Sequence, residues 1–174
     1  MYFIQMSGFP GSGKSTLARR IAEKTGAVII DHDIIKSSLL NSIDNTPIDA
    51  KSAGRISYNI DWSLAESLLY QGKAVIFDSP CLYKEMVEKG TGLAKKFNVK
   101  YKYVECYLED SIEINRRLRN RDRMVSQIKE IYSEEAFRYA LKNSEKPADY
   151  KCLLIDTSQP VERYLPAVIN YLIE

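Results

Sequence analysis

Histidine and cysteine are scarce in this sequence, with one His and three Cys among 174 residues. Cys81, Cys106 and Cys152 are widely separated and form no CxxC pair, which argues against a disulfide framework and a cysteine-rich zinc site. A reducing compartment suits them, so the cytoplasm is the expected location. Long hydrophobic runs are missing too. The first apolar segment, Tyr2 to Met6, is too short to span a membrane and has no basic stretch before it, so neither a signal peptide nor a membrane partner is expected. Charge of one sign is not in excess. With 25 basic and 23 acidic residues, the chain lacks the surplus of a dedicated nucleic-acid binder. No Gly/Ser-rich or Pro-rich linker, internal repeat or low-complexity tract divides the chain, and residues 1–174 are expected to form one domain.

What is present alternates regularly. "YFIQM" and "AVIID" flank a helical stretch, Lys14 to Lys24, in which Leu17, Ala18 and Ile21 recur at helical spacing. A long amphipathic segment follows, with Ala53, Ile56, Ile60, Leu64 and Leu68 as its expected buried stripe and Tyr58 and Trp62 off it. "KAVIFD", a crossover from Tyr83 to Phe97, "VKYKYVECYL" and "CLLIDT" continue the pattern. Strands separated by helices predict an α/β fold with a parallel sheet covered on both faces. The last segment is expected to kink at Pro166 or to start its helix late.

The densest chemical signal is Gly8-x-x-x-x-Gly13-Lys14-Ser15, with a strand before it and a helix after it. Glycines there accept positive φ and let successive backbone N–H groups converge on a phosphate at a helix N-terminus. The stretch Gly8, Pro10, Gly11, Ser12, Gly13, Lys14, Ser15 and Thr16 is therefore the expected cradle of a nucleoside triphosphate. In it Lys14 reaches the β- and γ-phosphates and Ser15 ligates Mg²⁺. Two absences narrow the chemistry. No NKxD tetrapeptide reads guanine, and no strand ends in Asp-Glu to orient an attacking water; "VIFDSP" is the best candidate. Transfer to another hydroxyl is the better expectation.

Asp31, His32 and Asp33 follow the second strand, where such sheets open onto their ligand. Asp33 is the favoured carboxylate, acting on the acceptor hydroxyl or on Mg²⁺; its rival role is to cap a helix starting at Ile34. His32 is given no role. In "RRLRNRDR" five arginines fall within eight positions without a lysine, a composition suited to planar recognition of phosphate. Arg117 and Arg121 are four apart and share a helix face, so they are expected to close over the triphosphate. Pairing of this helix with Glu109, Asp110 and Glu113 is the alternative.

Taken in order, "GFPGSGKST", "DHD", "VIFDS", "RRLRNR" and "LLIDTSQP" resemble the small P-loop kinases, the group of polynucleotide 5′-hydroxyl kinase, zeta-toxin-like, gluconate and shikimate kinases. The resemblance covers essentially the whole chain. It implies a nucleoside-monophosphate-kinase-like three-layer fold, a five-stranded parallel sheet of order 2-3-1-4-5, and a helical lid at about 117–146. It also implies that Asp33 matches the catalytic carboxylate, that Lys36 and Asp78 lie on the substrate side, that Arg117 and Arg121 form the lid pair, and that Pro160 packs on the adenine. Lys36 stands where the polynucleotide kinase has arginine, and no acceptor signature appears between strands two and three. The expected activity is ATP- and Mg²⁺-dependent phosphoryl transfer to a hydroxyl of a small molecule. A 5′-hydroxyl nucleic acid or a nucleotide sugar remains an alternative acceptor. A nucleotide-binding regulatory module or slow ATPase is the alternative of another class.

Overall fold

β-branched and aromatic residues cluster in five short runs, and each run becomes a strand. A computed structural model of the chain describes residues 1–43 and 48–174. The strands are β1 (Tyr2–Ser7), β2 (Val28–Asp31), β3 (Val75–Asp78), β4 (Lys100–Tyr107) and β5 (Cys152–Asp156). The helices are α1 (Lys14–Thr25), α2 (His32–Ser42), α3 (Ala50–Tyr70), α4 (Lys84–Lys96), α5 (Ser111–Asn120), α6 (Glu134–Lys142) and α7 (Val161–Ile173). All strand pairs are parallel, in the order β2-β3-β1-β4-β5, as the resemblance implies.

β1 lies at the centre and is buried on both faces. Its side chains alternate: Ile4 and Met6 join Leu17, Ile21, Val168 and Leu172 under α1 and α7, while Phe3 joins Leu69, Phe77 and Tyr101 under α3 and α4. Gln5 is also buried, and it is satisfied there. Its amide donates to the Met86 carbonyl at 2.9 Å and its carbonyl accepts from the Tyr101 hydroxyl at 2.6 Å. A Cβ at Gly90 would fall 2.1 Å from that carbonyl, so α4 approaches the sheet through a glycine. A third cluster, Leu108, Ile114, Leu118 and Phe137, holds α5 and α6 together.

Two helices depart from the sequence expectation. In α3 the buried positions are Ala53, Ser57, Asp61, Ala65 and Leu69, whereas Ile56, Ile60 and Leu64 are exposed. Small and paired polar residues let α3 pack closely, Ser57 donating to the Ala53 carbonyl and Asp61 bonding His32. Trp62, expected off the buried stripe, stacks on Phe77 with ring centroids 4.2 Å apart. α7 starts at Val161 and runs through Pro166, which lacks only its own amide bond, so the late start is not observed. No helix among the described residues is long and apolar enough to cross a membrane.

Candidate active site

β1, β2 and β3 end at one edge of the sheet, where a cavity of about 790 Å³ opens. Pro10, Gly11, Gly13, Lys14, Ser15 and Thr16 form one wall. Gly8 has φ of +131°, and a Cβ there would meet the Cys106 carbonyl oxygen at 2.2 Å, so the loop is built for a residue without a side chain. Gly13 caps α1 in the left-handed conformation with no side-chain hydrogen bond, and no acidic residue occupies the first turn. The first turn of α1 thus carries no carboxylate of its own to occupy the positive end of its dipole, which fits a phosphate. Thr157 fastens this loop to the sheet: its hydroxyl donates to the Ser12 carbonyl at 2.7 Å.

Lys14 is buried, and its ammonium donates to the Gly8 and Phe9 carbonyls at 2.9 and 3.1 Å. Burial lowers its pKa, and the neighbouring Asp78 carboxylate opposes that shift. Asp78 shows the reciprocal effect. Burial at the end of β3 pushes it from 3.8 up to about 6, with Lys14 pulling the other way, and its Oδ2 has no hydrogen-bond partner among the described residues.

A raised carboxyl pKa means that the folded chain binds a proton that the unfolded chain has released. The stability from that proton is full below about pH 4 and is lost as the pH rises through about 6. A rise from 3.8 to about 6 corresponds to about 3 kcal/mol. Asp78→Asn is therefore expected to raise unfolding stability in urea at pH 8 by about 1–3 kcal/mol, with chelator present, and to add little at pH 4. Equal stabilities at pH 8 would show that Asp78 carries no such strain.

Across the cleft, Asp31 and not Asp33 caps α2. Its carboxylate accepts from the Asp33 and Ile34 amides at 2.9 and 3.3 Å, and the helix starts at His32. The rival role of Asp33 as a helix cap is thereby corrected. Asp33 lines the cleft, where its carboxylate accepts from the Gln127 amide at 2.8 Å and the Ser126 hydroxyl at 3.3 Å. Lys36 lines the same wall. His32 Nδ1 hydrogen-bonds Asp61 at 2.6 Å, and the ring stacks on Tyr58 with centroids 3.8 Å apart. Burial raises the pKa of Asp61, and the His32 bond opposes the rise.

Arg117 and Arg121 both reach the cleft. Arg117 bonds Glu113 and the Thr157 carbonyl, each at 2.8 Å. Arg121 lies just past the helix, with extended backbone, and does not continue the shared helical face. It donates to the Ile128 carbonyl while its buried Nε has no partner among the described residues. Arg116 bonds Glu113 and Arg119 bonds Glu130, both outside the cleft. Acidic pairing and one cleft-facing arginine, Arg117, thus occur on α5, and Arg121 reaches the cleft from just beyond it. Pro160 occupies the cap position of α7 and is not among the cleft residues, although its neighbours Gln159 and Val161 are.

No local pattern marks Tyr58, Asp61, Ser126 or Gln127 as site residues, since their partners lie far along the chain, and His32, placed at the strand end, is given no role by the sequence. Thr157, at the end of the "IDT" strand run, has a positional signal.

No curated protein sequence matches the chain. Solved structures do, at low identity. A protein from Chloroflexus aurantiacus with a provisional kinase name superposes with a TM-score of 0.79 at 15% identity, covering 98% of both chains. A gluconokinase from Sinorhizobium meliloti gives 0.63 at 17%, covering 98% of this chain and 90% of its own. Kti12 from Chaetomium thermophilum, solved with ADP-AlF3, gives 0.66 at 18%, covering 98% of both. These likenesses establish a shared fold, that of the P-loop kinases. Residues 3–147 match the family model described as an AAA domain, and the chain belongs to that family.

Proposed function

We propose that residues 1–174 act as one ATP-dependent kinase domain, which transfers the γ-phosphoryl group of ATP to a hydroxyl of a small molecule in the cytoplasm. The observation that carries this reading is the shared cleft. It sets a phosphate cradle with Lys14 against one wall and Asp33 against another, with Arg117 and Arg121 at its edge. The similarity in fold to a gluconokinase agrees with it.

ATP supplies the phosphoryl group, and Mg²⁺ neutralises its oxygens when bound. No group of three or more His, Cys, Asp or Glu among the described residues can hold a metal, so the proposed site relies on the Ser15 hydroxyl, with Asp33 and the unpartnered Asp78 oxygen acting through water. Lys14 and the amides of Gly8 to Thr16 hold the phosphates and take up charge that grows on them during transfer. Asp33 accepts the proton of the attacking hydroxyl, aligned by Lys36. Arg117 and Arg121 belong to a lid, about residues 117–146, that closes to keep water out.

The test is label transfer from γ-phosphate-labelled ATP to sugars, nucleosides and 5′-hydroxyl oligonucleotides. Acceptor-dependent ATP consumption is expected, with a small molecule as the labelled product. Consumption that responds only to a protein partner would instead support a nucleotide-binding module.

A further inference from the structure

The cleft wall opposite the phosphate cradle contains a buried pair that the transfer chemistry above leaves unused. His32 is the chain's only histidine and is 5% exposed. Its Nδ1 meets Asp61 Oδ2 at 2.6 Å, and Asp61 is wholly buried. Tyr58 covers the imidazole face at a stacking angle of 12°. With Nδ1 engaged by the Asp61 carboxylate, Nε2 is the ring nitrogen that faces the cleft, and in the Nδ1–H tautomer it presents a lone pair there. Nothing among the described residues bonds Nε2, whereas His32 itself lines the cleft. The ring is therefore fixed from behind and from one face, with its second nitrogen left for a ligand.

Its surroundings define what that ligand offers. Asp33 accepts hydrogen bonds, Nε2 accepts one in the Nδ1–H tautomer, and the neighbouring Ser79 and Tyr58 hydroxyls can donate or accept. Tyr83 is 69% exposed and adds an aromatic face at the rim.

Resting on the kinase reading, we propose that His32, oriented by Asp61 and Tyr58, binds the acceptor through Nε2. The acceptor class is a vicinal polyol, with one hydroxyl at Asp33 and its neighbour at His32. His32 is then a specificity-determining residue, and Asp61 is the positioning residue behind it.

A single histidine gives one imidazole signal, so ¹⁵N NMR of histidine-labelled protein reports on the site without relying on turnover. In the presence of a non-hydrolysable ATP analogue, the ring is expected to show the Nδ1–H tautomer. Glucose, ribitol, adenosine and their deoxy analogues are the probes. At least one polyol is expected to shift Nε2 by several ppm, and its deoxy analogue less, while Nδ1 holds. A panel that leaves Nε2 unmoved overturns the proposal, as does an equal shift with the deoxy form. Label transfer on the same panel judges the kinase reading separately. Transfer without a shift sinks only the assignment of His32, and a shift without transfer retains it and sinks the kinase. His32→Asn keeps a donor for Asp61 but removes Nε2, which avoids an unpaired buried charge. Its loss should fall on KM for the transferred polyol, about 10- to 100-fold, and an unchanged KM would count against the site.

Discussion

Lys14→Ala is expected to lower turnover by about two to three orders of magnitude, the usual result of removing one preorganised donor to transition-state charge. The side chain is buried beside Asp78, so it acts in a low-dielectric setting where its charge interacts strongly with phosphate. The fold should tolerate the change. Burial already disfavours the ammonium, and its two hydrogen bonds go to carbonyls of its own loop. Asp78 loses the cation that lowers its pKa, so its carboxyl should titrate still higher in the variant. Lys14→Arg should not restore the rate, because a planar guanidinium does not replace a compact point charge in a slot this closed. Single-turnover label transfer, with thermal unfolding as the folding control, measures both effects. A folded Lys14→Ala protein with near-normal transfer would remove the phosphate cradle from the chemistry.

The features that were legible in the sequence share one property, which is locality. The P-loop occupies one continuous turn between β1 and α1, and its glycines, lysine and serine announce themselves by spacing. Strand and helix alternation is also local, and the strand order implied by the family resemblance is the one observed. Long-range pairs left no trace. His32 meets Asp61 across 29 residues, and Asp33 meets Gln127 across 94. α3 misled the hydrophobic pattern because its packed face is made of Ala, Ser and a paired Asp, leaving isoleucines outside. In "DHD" either aspartate suits a helix cap, and a shift of two residues in the helix start decided which one is free for the cleft.

That shift gives Asp33→Asn its diagnostic value. Asp31 already caps α2, so replacing Asp33 removes no cap and should cost no more than about 1 kcal/mol from the lost charge in the first turn. Asp31→Ala, which does remove the cap, should cost about 1 kcal/mol or more and serves as the structural comparison. Chemistry should respond in the opposite order. The asparagine side chain can still accept one hydrogen bond through its amide oxygen, but it cannot take a proton from the acceptor. Phosphoryl transfer is expected to fall by about 10²- to 10⁴-fold while ATP affinity stays near that of the native chain, since in the proposed mechanism Lys14 and the loop amides hold the phosphates and Asp33 acts on the acceptor. The Gln127 and Ser126 bonds give the carboxylate a fixed orientation, so the loss should also exceed that of Gln127→Ala, where the base remains but is held less firmly. Equilibrium nucleotide binding, urea unfolding and label transfer on the three variants separate these outcomes. An Asp33→Asn protein that is less stable yet transfers phosphate normally would make Asp33 a structural anchor for the 124–128 loop and leave the general base to be found elsewhere.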